Sequence, residues 1–280
     1  MQRYCFFSLS ANFFSFFFDI SKKKSNFAAV MLIKSKAIVI KTIKYGDQKL
    51  IVDFVTAAHG RMSSMVKISA KGNSGRGISG RGSSFPKQFF QPLTLLTIET
   101  DYRERETLQR VVSVSMAEPC PSLHSEPAKI TISLFLAEVL SHVVREENRD
   151  EEFFSFLEHS ILWLDVVDSG YANFHIAFLV RLLHLQGFLP SSKESASEDI
   201  FDLRSGEFLS SVPLHNQFLQ AADARMMKSL LRITYSNMHV FRMSRQERQR
   251  CLDIILLYFR IHIPSFPELK SLAVLREIFE

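Results

Sequence analysis

The sequence predicts an α+β protein: an N-terminal five-stranded OB-fold barrel followed by an all-helical C-terminal domain that carries one small hairpin. Three observations carry this prediction. Apolar residues recur with a period near two between Met31 and Met116, and with a period near 3.6 beyond Pro127. The change falls where Pro119, Pro121 and Pro127 interrupt the chain. Formal charge changes sign at the same place: residues 31–116 hold 14 basic and 6 acidic side chains, residues 117–280 hold 16 and 22. A chain of 280 residues has room for about two domains, placed here at 31–117 and 118–280. Hydrophobic residues at 46% and charged residues at 22% describe a chain that folds rather than one that stays disordered.

Residues 1–30 contain eight phenylalanines, followed by Lys22, Lys23 and Lys24. Ser8, Ser10, Asn12, Ser15 and Asp19 break up the apolar run, which is too short and too polar to span a membrane and too interrupted for a secretory signal. Patterned sequence starts abruptly at Met31. This segment is therefore expected to be disordered or to lie upstream of the true start, and no membrane partner is expected.

From Met31 onward each strand is bounded by turn residues. Ala37 to Thr42 reads as a strand, closed by Tyr45-Gly46-Asp47; Lys49 to Thr56 is the second, closed by His59-Gly60; Arg61 to Ala70 is the third. A glycine- and serine-rich stretch from Lys71 to Ser84 follows. Pro92 to Thr100 and Leu108 to Met116 complete five short strands in about 85 residues with no crossover helix, which argues for a small antiparallel barrel. Helices are expected over Lys129–Arg145, Glu152–Val167, Tyr171–Phe188, Gln217–Ile233, Ser244–Ile263 and Pro267–Phe279, with Ser244 and Glu247 forming a capping box. Arg204-Ser205-Gly206, between Phe201-Asp202-Leu203 and Glu207-Phe208-Leu209, reads as the turn of the small hairpin.

The chemistry points to polyanion binding. A compact basic surface concentrates polyanions, and lysines interleaved with aromatic rings let phosphates be neutralised while bases stack. Lys36, Lys41, Lys67, Lys71, Arg76, Arg81 and Lys87 are the expected phosphate contacts, four of them in or beside the glycine-rich loop. Phe85 and Phe89, at the end of that loop, are the expected stacking residues. Gly75, Gly77 and Gly80 have the spacing of a dinucleotide fingerprint, but Arg81-Gly82-Ser83-Ser84-Phe85-Pro86 cannot start the helix that directs amides at a pyrophosphate. A nucleotide-binding enzyme using the Gly75–Gly80 run is the alternative function, with a generic OB-fold nucleic-acid binder beside it. No catalytic constellation is found, and no cofactor or metal is expected: the nine histidines lack ligand spacing, and Cys5, Cys120 and Cys251 are far apart and contain no C-x-x-C. Cysteine usage of this kind fits a reducing cytoplasm.

The residues also resemble a known family. Lys36-Ala37-Ile38-Val39-Ile40-Lys41-Thr42, Tyr45-Gly46-Asp47, Phe54 to Thr56 with His59-Gly60, Lys71-Gly72 and Gln91-Pro92-Leu93 follow one another as in bacterial RecO proteins, most closely those of Bacteroidetes. Leu134 to Leu140, Phe174-His175, Gly187-Phe188, Phe201-Asp202-Leu203 and Lys270-Ser271-Leu272 extend the resemblance to the end of the chain. It implies a cytoplasmic, nucleoid-associated DNA repair mediator and not an enzyme. The implied activity is to bind single- and double-stranded DNA, to anneal strands coated with single-strand-binding protein and, with RecR, to promote RecA loading, with RecF a further candidate partner. Some members carry a four-cysteine zinc module near the position of the hairpin. This chain has no cysteine between Cys120 and Cys251, so its hairpin is expected to hold by Phe201, Leu203, Phe208 and Leu209 packing on the helices, with no zinc site.

Overall fold

A computed structural model describes residues 31–69, 78–79, 84–145, 149–188, 190 and 199–278. The barrel is built from β1 (Met31–Lys44), β2 (Lys49–Thr56), β3 (Gly60–Lys67), β4 (Ile78–Ser79), β5 (Leu95–Tyr102) and β6 (Leu108–Met116). Strand order is β3-β2-β1-β5-β6-β4, and a parallel pairing of β3 with β6 through Ser63↔Leu108 and Ser64↔Gln109 closes the cylinder. The five long strands form the closed barrel that the alternation predicts; β4 is a two-residue addition at the edge of β6.

β1 is more than twice as long as the strand legible at Ala37 to Thr42. Its first half pairs with β5 and its second with β2, and a bulge at Ile40 marks the bend between them. Strand alternation sends Ala37 and Val39 into the barrel, where they meet Leu50, Val52, Phe54, Met62, Val66 and Ile98. Ile38 and Ile40 point the other way, into the core of the helical half, together with Val55, Leu93 and Leu95.

That half consists of α1 (Pro127–Val143), α2 (Glu151–Val166), α3 (Phe174–Leu185), α4 (Ala221–Leu230), α5 (Arg245–His262) and α6 (Ser271–Ile278). Asp150 caps α2 by accepting the Phe153 amide at 2.8 Å. The expected capping box at Ser244 and Glu247 starts α5. Trp163, Phe174 and Tyr235 stack with centroids 5.1 to 5.7 Å apart at the centre of the bundle. Between α3 and α4, β7 (Ile200–Asp202), β8 (Glu207–Leu209) and β9 (Phe218–Leu219) form a small sheet, one strand larger than the predicted hairpin. Phe201 and Leu203 are buried there, Phe201 lies 4.8 Å from Phe208 between centroids, and His262 Nε2 bonds the Leu203 carbonyl oxygen at 2.8 Å. Among the described residues no group of His, Cys, Asp and Glu is placed to hold a metal ion, and no helix is long and apolar enough to cross a membrane.

Candidate nucleic-acid interface

The outward face of β1, β2 and β3 carries three transverse rows of side chains, set by the strand registers. Lys41 lies opposite Asp53, which lies opposite Ser63. The next row is apolar: Ile43 opposite Ile51 opposite Met65. The last row stands at the hairpin end, where the Tyr45 amide donates to the Lys49 carbonyl at 2.9 Å and Lys49 lies opposite Lys67. Gly46, at φ +72°, makes the turn that leaves Tyr45 at the tip, 54% exposed, with Ile43 47% exposed below it. Lys41, Lys44, Lys49 and Lys67 are all exposed. An exposed ring and an apolar strip beside several solvent-facing ammonium groups suit an unpaired strand, whose bases have apolar faces and whose phosphates are negative.

Like charges directly opposite on neighbouring strands are unfavourable. The Lys49–Lys67 pair therefore costs the barrel a little stability and concentrates positive potential at one end. Farther along the face the charges are satisfied. Asp53 accepts from Ser63 Oγ at 2.7 Å and from Arg61 Nη2 at 2.9 Å, and Arg61 Nη1 also donates to the Ser141 and Val144 carbonyls at 2.9 and 2.6 Å. Arg61 thus fastens the barrel to the C-terminal end of α1. Nearby, desolvation first and then the Lys41 charge hold the His142 imidazole below its ordinary value, so it stays neutral beside the lysine.

The expected phosphate contacts separate into three groups. Lys41 and Lys67 belong to the face just described, and Lys87 is exposed on a short 3-10 turn (Lys87–Phe90) tied to β1 by the Thr42 hydroxyl, which donates to the Phe90 carbonyl at 2.9 Å. Lys36 instead reaches Glu158 on α2 at 2.6 Å, a pairing across 122 residues that engages it at the junction of the two halves. Lys71, Arg76 and Arg81 lie outside the described residues. The two ends of their loop meet beside Lys67: the Ser69 amide donates to the Phe85 carbonyl and the Phe85 amide to the Lys67 carbonyl, at 2.9 and 2.8 Å.

That clasp corrects the reading of Phe85 as a stacking residue. It turns the ring into the barrel, where Phe85 is 2% exposed and meets Phe90 edge-on at 6.4 Å, so no ring face is left for a base. Phe89 is half-buried against the same core. Among the described residues Tyr45 is the exposed aromatic of the barrel, and Lys44 and Lys49 are basic neighbours that sequence reasoning passed over; position in a tight two-strand turn is the signal. In the glycine run Ile78 and Ser79 pair with Val114 and Ser113 as strand β4, and the glycines themselves lie outside the described residues. A strand there gives no helix end to receive a pyrophosphate.

Comparison with known proteins matches both halves. The family model described as recombination protein O N terminal covers residues 31–120, and recombination protein O C terminal covers residues 124–273. The chain is 39% identical over 249 residues to the DNA repair protein RecO of Phocaeicola vulgatus and 39% identical over 251 residues to that of Bacteroides fragilis. It is 35% identical over 250 residues to that of Flavobacterium psychrophilum. Each match takes in 89% of this chain and 100% of the relative. With both domains matched in order on a closed barrel and a helical bundle, the chain belongs to the RecO family of DNA repair proteins.

Proposed function

We propose that this chain binds single- and double-stranded DNA on the outward face of β1, β2 and β3, and anneals complementary strands coated with single-strand-binding protein. With RecR, and with RecF as a further partner, it promotes RecA loading in the nucleoid. The observation that carries the DNA-binding part is the Tyr45–Lys49–Lys67 row above the Ile43–Ile51–Met65 strip. Lys41, Lys44 and Lys87 extend the positive field around it, and Lys71, Arg76 and Arg81, outside the described residues, are proposed as further phosphate contacts. Ammonium groups beside two strands lower the repulsion between their phosphates, so that bases meet and pair; the protein makes and breaks no covalent bond in this step. The helical half supplies the contact to the tail of single-strand-binding protein and to RecR.

The test is annealing of complementary oligonucleotides precoated with single-strand-binding protein. The wild-type chain should accelerate pairing, and Lys49→Glu with Lys67→Glu should remove most of the acceleration while leaving the melting temperature intact. Equal rates with and without protein would sink the proposal.

A further inference from the structure

From Phe54 to Ile98 the chain holds six lysines and arginines, Arg61, Lys67, Lys71, Arg76, Arg81 and Lys87, and no carboxylate. The β1–β2 hairpin borders this stretch and carries lysines on both of its sides. Residues paired across a ladder point to the same face of the sheet. Thr42, opposite Val52, and Lys44, opposite Leu50, therefore stand on the side that faces the barrel interior, whereas Tyr45, Lys49 and Lys67 stand on the outward one. Leu50 and Val52 are buried in the barrel core, and Lys44 is exposed at its open end.

The 3-10 turn Lys87–Phe90 covers that open end. Phe90 fills it, edge-on to Phe54 and Phe85 at 6.5 and 6.4 Å, and the Thr42 hydroxyl donates to its carbonyl. Lys87 and Gln88 are left exposed, with Phe89 half-buried beside them. Neither Lys44 nor Lys87 has an ion pair among the described residues. The hairpin tip that separates the two sides is held in place, because the Ile68 amide donates to the Gln48 carbonyl at 2.8 Å and the Tyr45 amide to the Lys49 carbonyl. Asp47 is exposed at this tip, between the two basic sides, and repels a phosphate chain that would cross from one to the other. Glu138 and Glu268 line the groove that begins at Thr42 and Pro92. They bound the inner side there, so that its positive track runs over Lys44 and Lys87 and does not enter the groove.

We propose that the β1–β2 hairpin holds two single strands at once, one on its outward face at Tyr45, Lys49 and Lys67 and the other on its inner side at Lys44 and Lys87, beside Phe89. The ligand of the inner side is a second unpaired nucleic-acid strand, whose phosphates meet the two ammonium groups and whose bases meet the apolar surface that Phe89 leaves uncovered. This inference rests on the barrel reading and extends it from one strand to two. Two strands on one hairpin meet at the effective concentration of a tethered pair, and their bases come together beyond Gly46.

The experiment counts non-complementary oligonucleotides of about 8 nucleotides, within the span of one such barrel, bound per full chain in a stoichiometric titration at low salt. Energy transfer between donor- and acceptor-labelled strands then reports whether they sit on one chain. The wild type should bind two strands and show transfer. Lys44→Gln with Lys87→Gln, and separately Lys49→Gln with Lys67→Gln, should each bind one strand and lose the transfer, with melting temperatures unchanged because all four positions are exposed. Both variants should also anneal complementary strands more slowly than the wild type. If the wild type binds one strand and the salt slope falls in both variants, a single strand wraps the tip; the two-strand hairpin is overturned and the barrel reading stands. A Lys44→Gln, Lys87→Gln chain that still binds two strands overturns it equally. If the wild type binds no strand, or if the Lys49→Gln, Lys67→Gln variant binds as the wild type does, the barrel reading falls as well.

Discussion

Replacing Lys49 and Lys67 together by alanine separates the binding role of the hairpin end from its role in the fold. The two ammonium groups lie opposite each other at exposed positions, and neither has an ion pair among the described residues. If each neutralises one phosphate, removing both reduces the salt slope by about 1.4 for a single strand. Between about 50 and 200 mM salt the wild-type chain should therefore lose about seven-fold more affinity than the variant. Stability should move the other way, because removing two opposed like charges relieves roughly 0.2–1 kcal/mol. The assay is fluorescence anisotropy of a labelled oligonucleotide over the salt series, paired with thermal melting. Lys34→Ala serves as the control, since Lys34 lies opposite Glu99 on the β1–β5 side. Equal slopes for wild type and the double variant would show that no phosphate touches this pair.

Three further outcomes are expected. Tyr45→Ala should weaken single-strand binding by about 1–3 kcal/mol with an unchanged melting temperature, whereas Phe85→Ala should cost about 3–5 kcal/mol of folding stability through an emptied barrel core; calorimetry and anisotropy on both variants test the exchange of roles. Gly206→Ala should destabilise the small sheet by more than the 1–2 kcal/mol of a left-handed backbone, because Gly206 sits at φ +70° and an added Cβ would lie 2.6 Å from the Tyr258 hydroxyl; urea titration measures it. Folding stability should decline on acidification from about pH 6.5 toward 3. Over that interval the unfolded chain binds a proton at His175 that the folded chain, with its imidazole held down to about 3 chiefly by burial, does not. Denaturation midpoints across this range should fall more steeply in the wild type than in His175→Gln.

Much of this fold is legible because barrel strands alternate and bundle helices do not. β2 and β6 run over Lys49–Thr56 and Leu108–Met116, the residues expected, since each is bounded by turn residues and has one buried face. The first half of β1 is hidden in the sequence because Lys34, Ser35 and Lys36 break the apolar alternation; pairing with β5 makes it a strand. The site is less legible. Phe85 follows a basic, glycine-rich loop and so looks exposed, yet two backbone hydrogen bonds to residues 67 and 69 turn it inward. Lys36 has the sequence context of a phosphate contact, and a carboxylate far along the chain engages it. Tyr45 carries the opposite lesson: its place is dictated by the short turn between β1 and β2, but choosing it over the other barrel rings requires knowing which of them the core takes.

The alternation along β1 has a mechanical consequence. Ala37 and Val39 belong to one hydrophobic interior and Ile38 and Ile40 to the other, so the helices cannot undock from this strand without exposing Ile38, Ile40 and the part of the helical core that they complete. Arg61 adds a second tether at the end of α1. On the proposed reading, a pull exerted on the helices by an attached protein would be delivered to a strand held on the barrel without slack, and the two halves would act as a rigid handle rather than a hinged one.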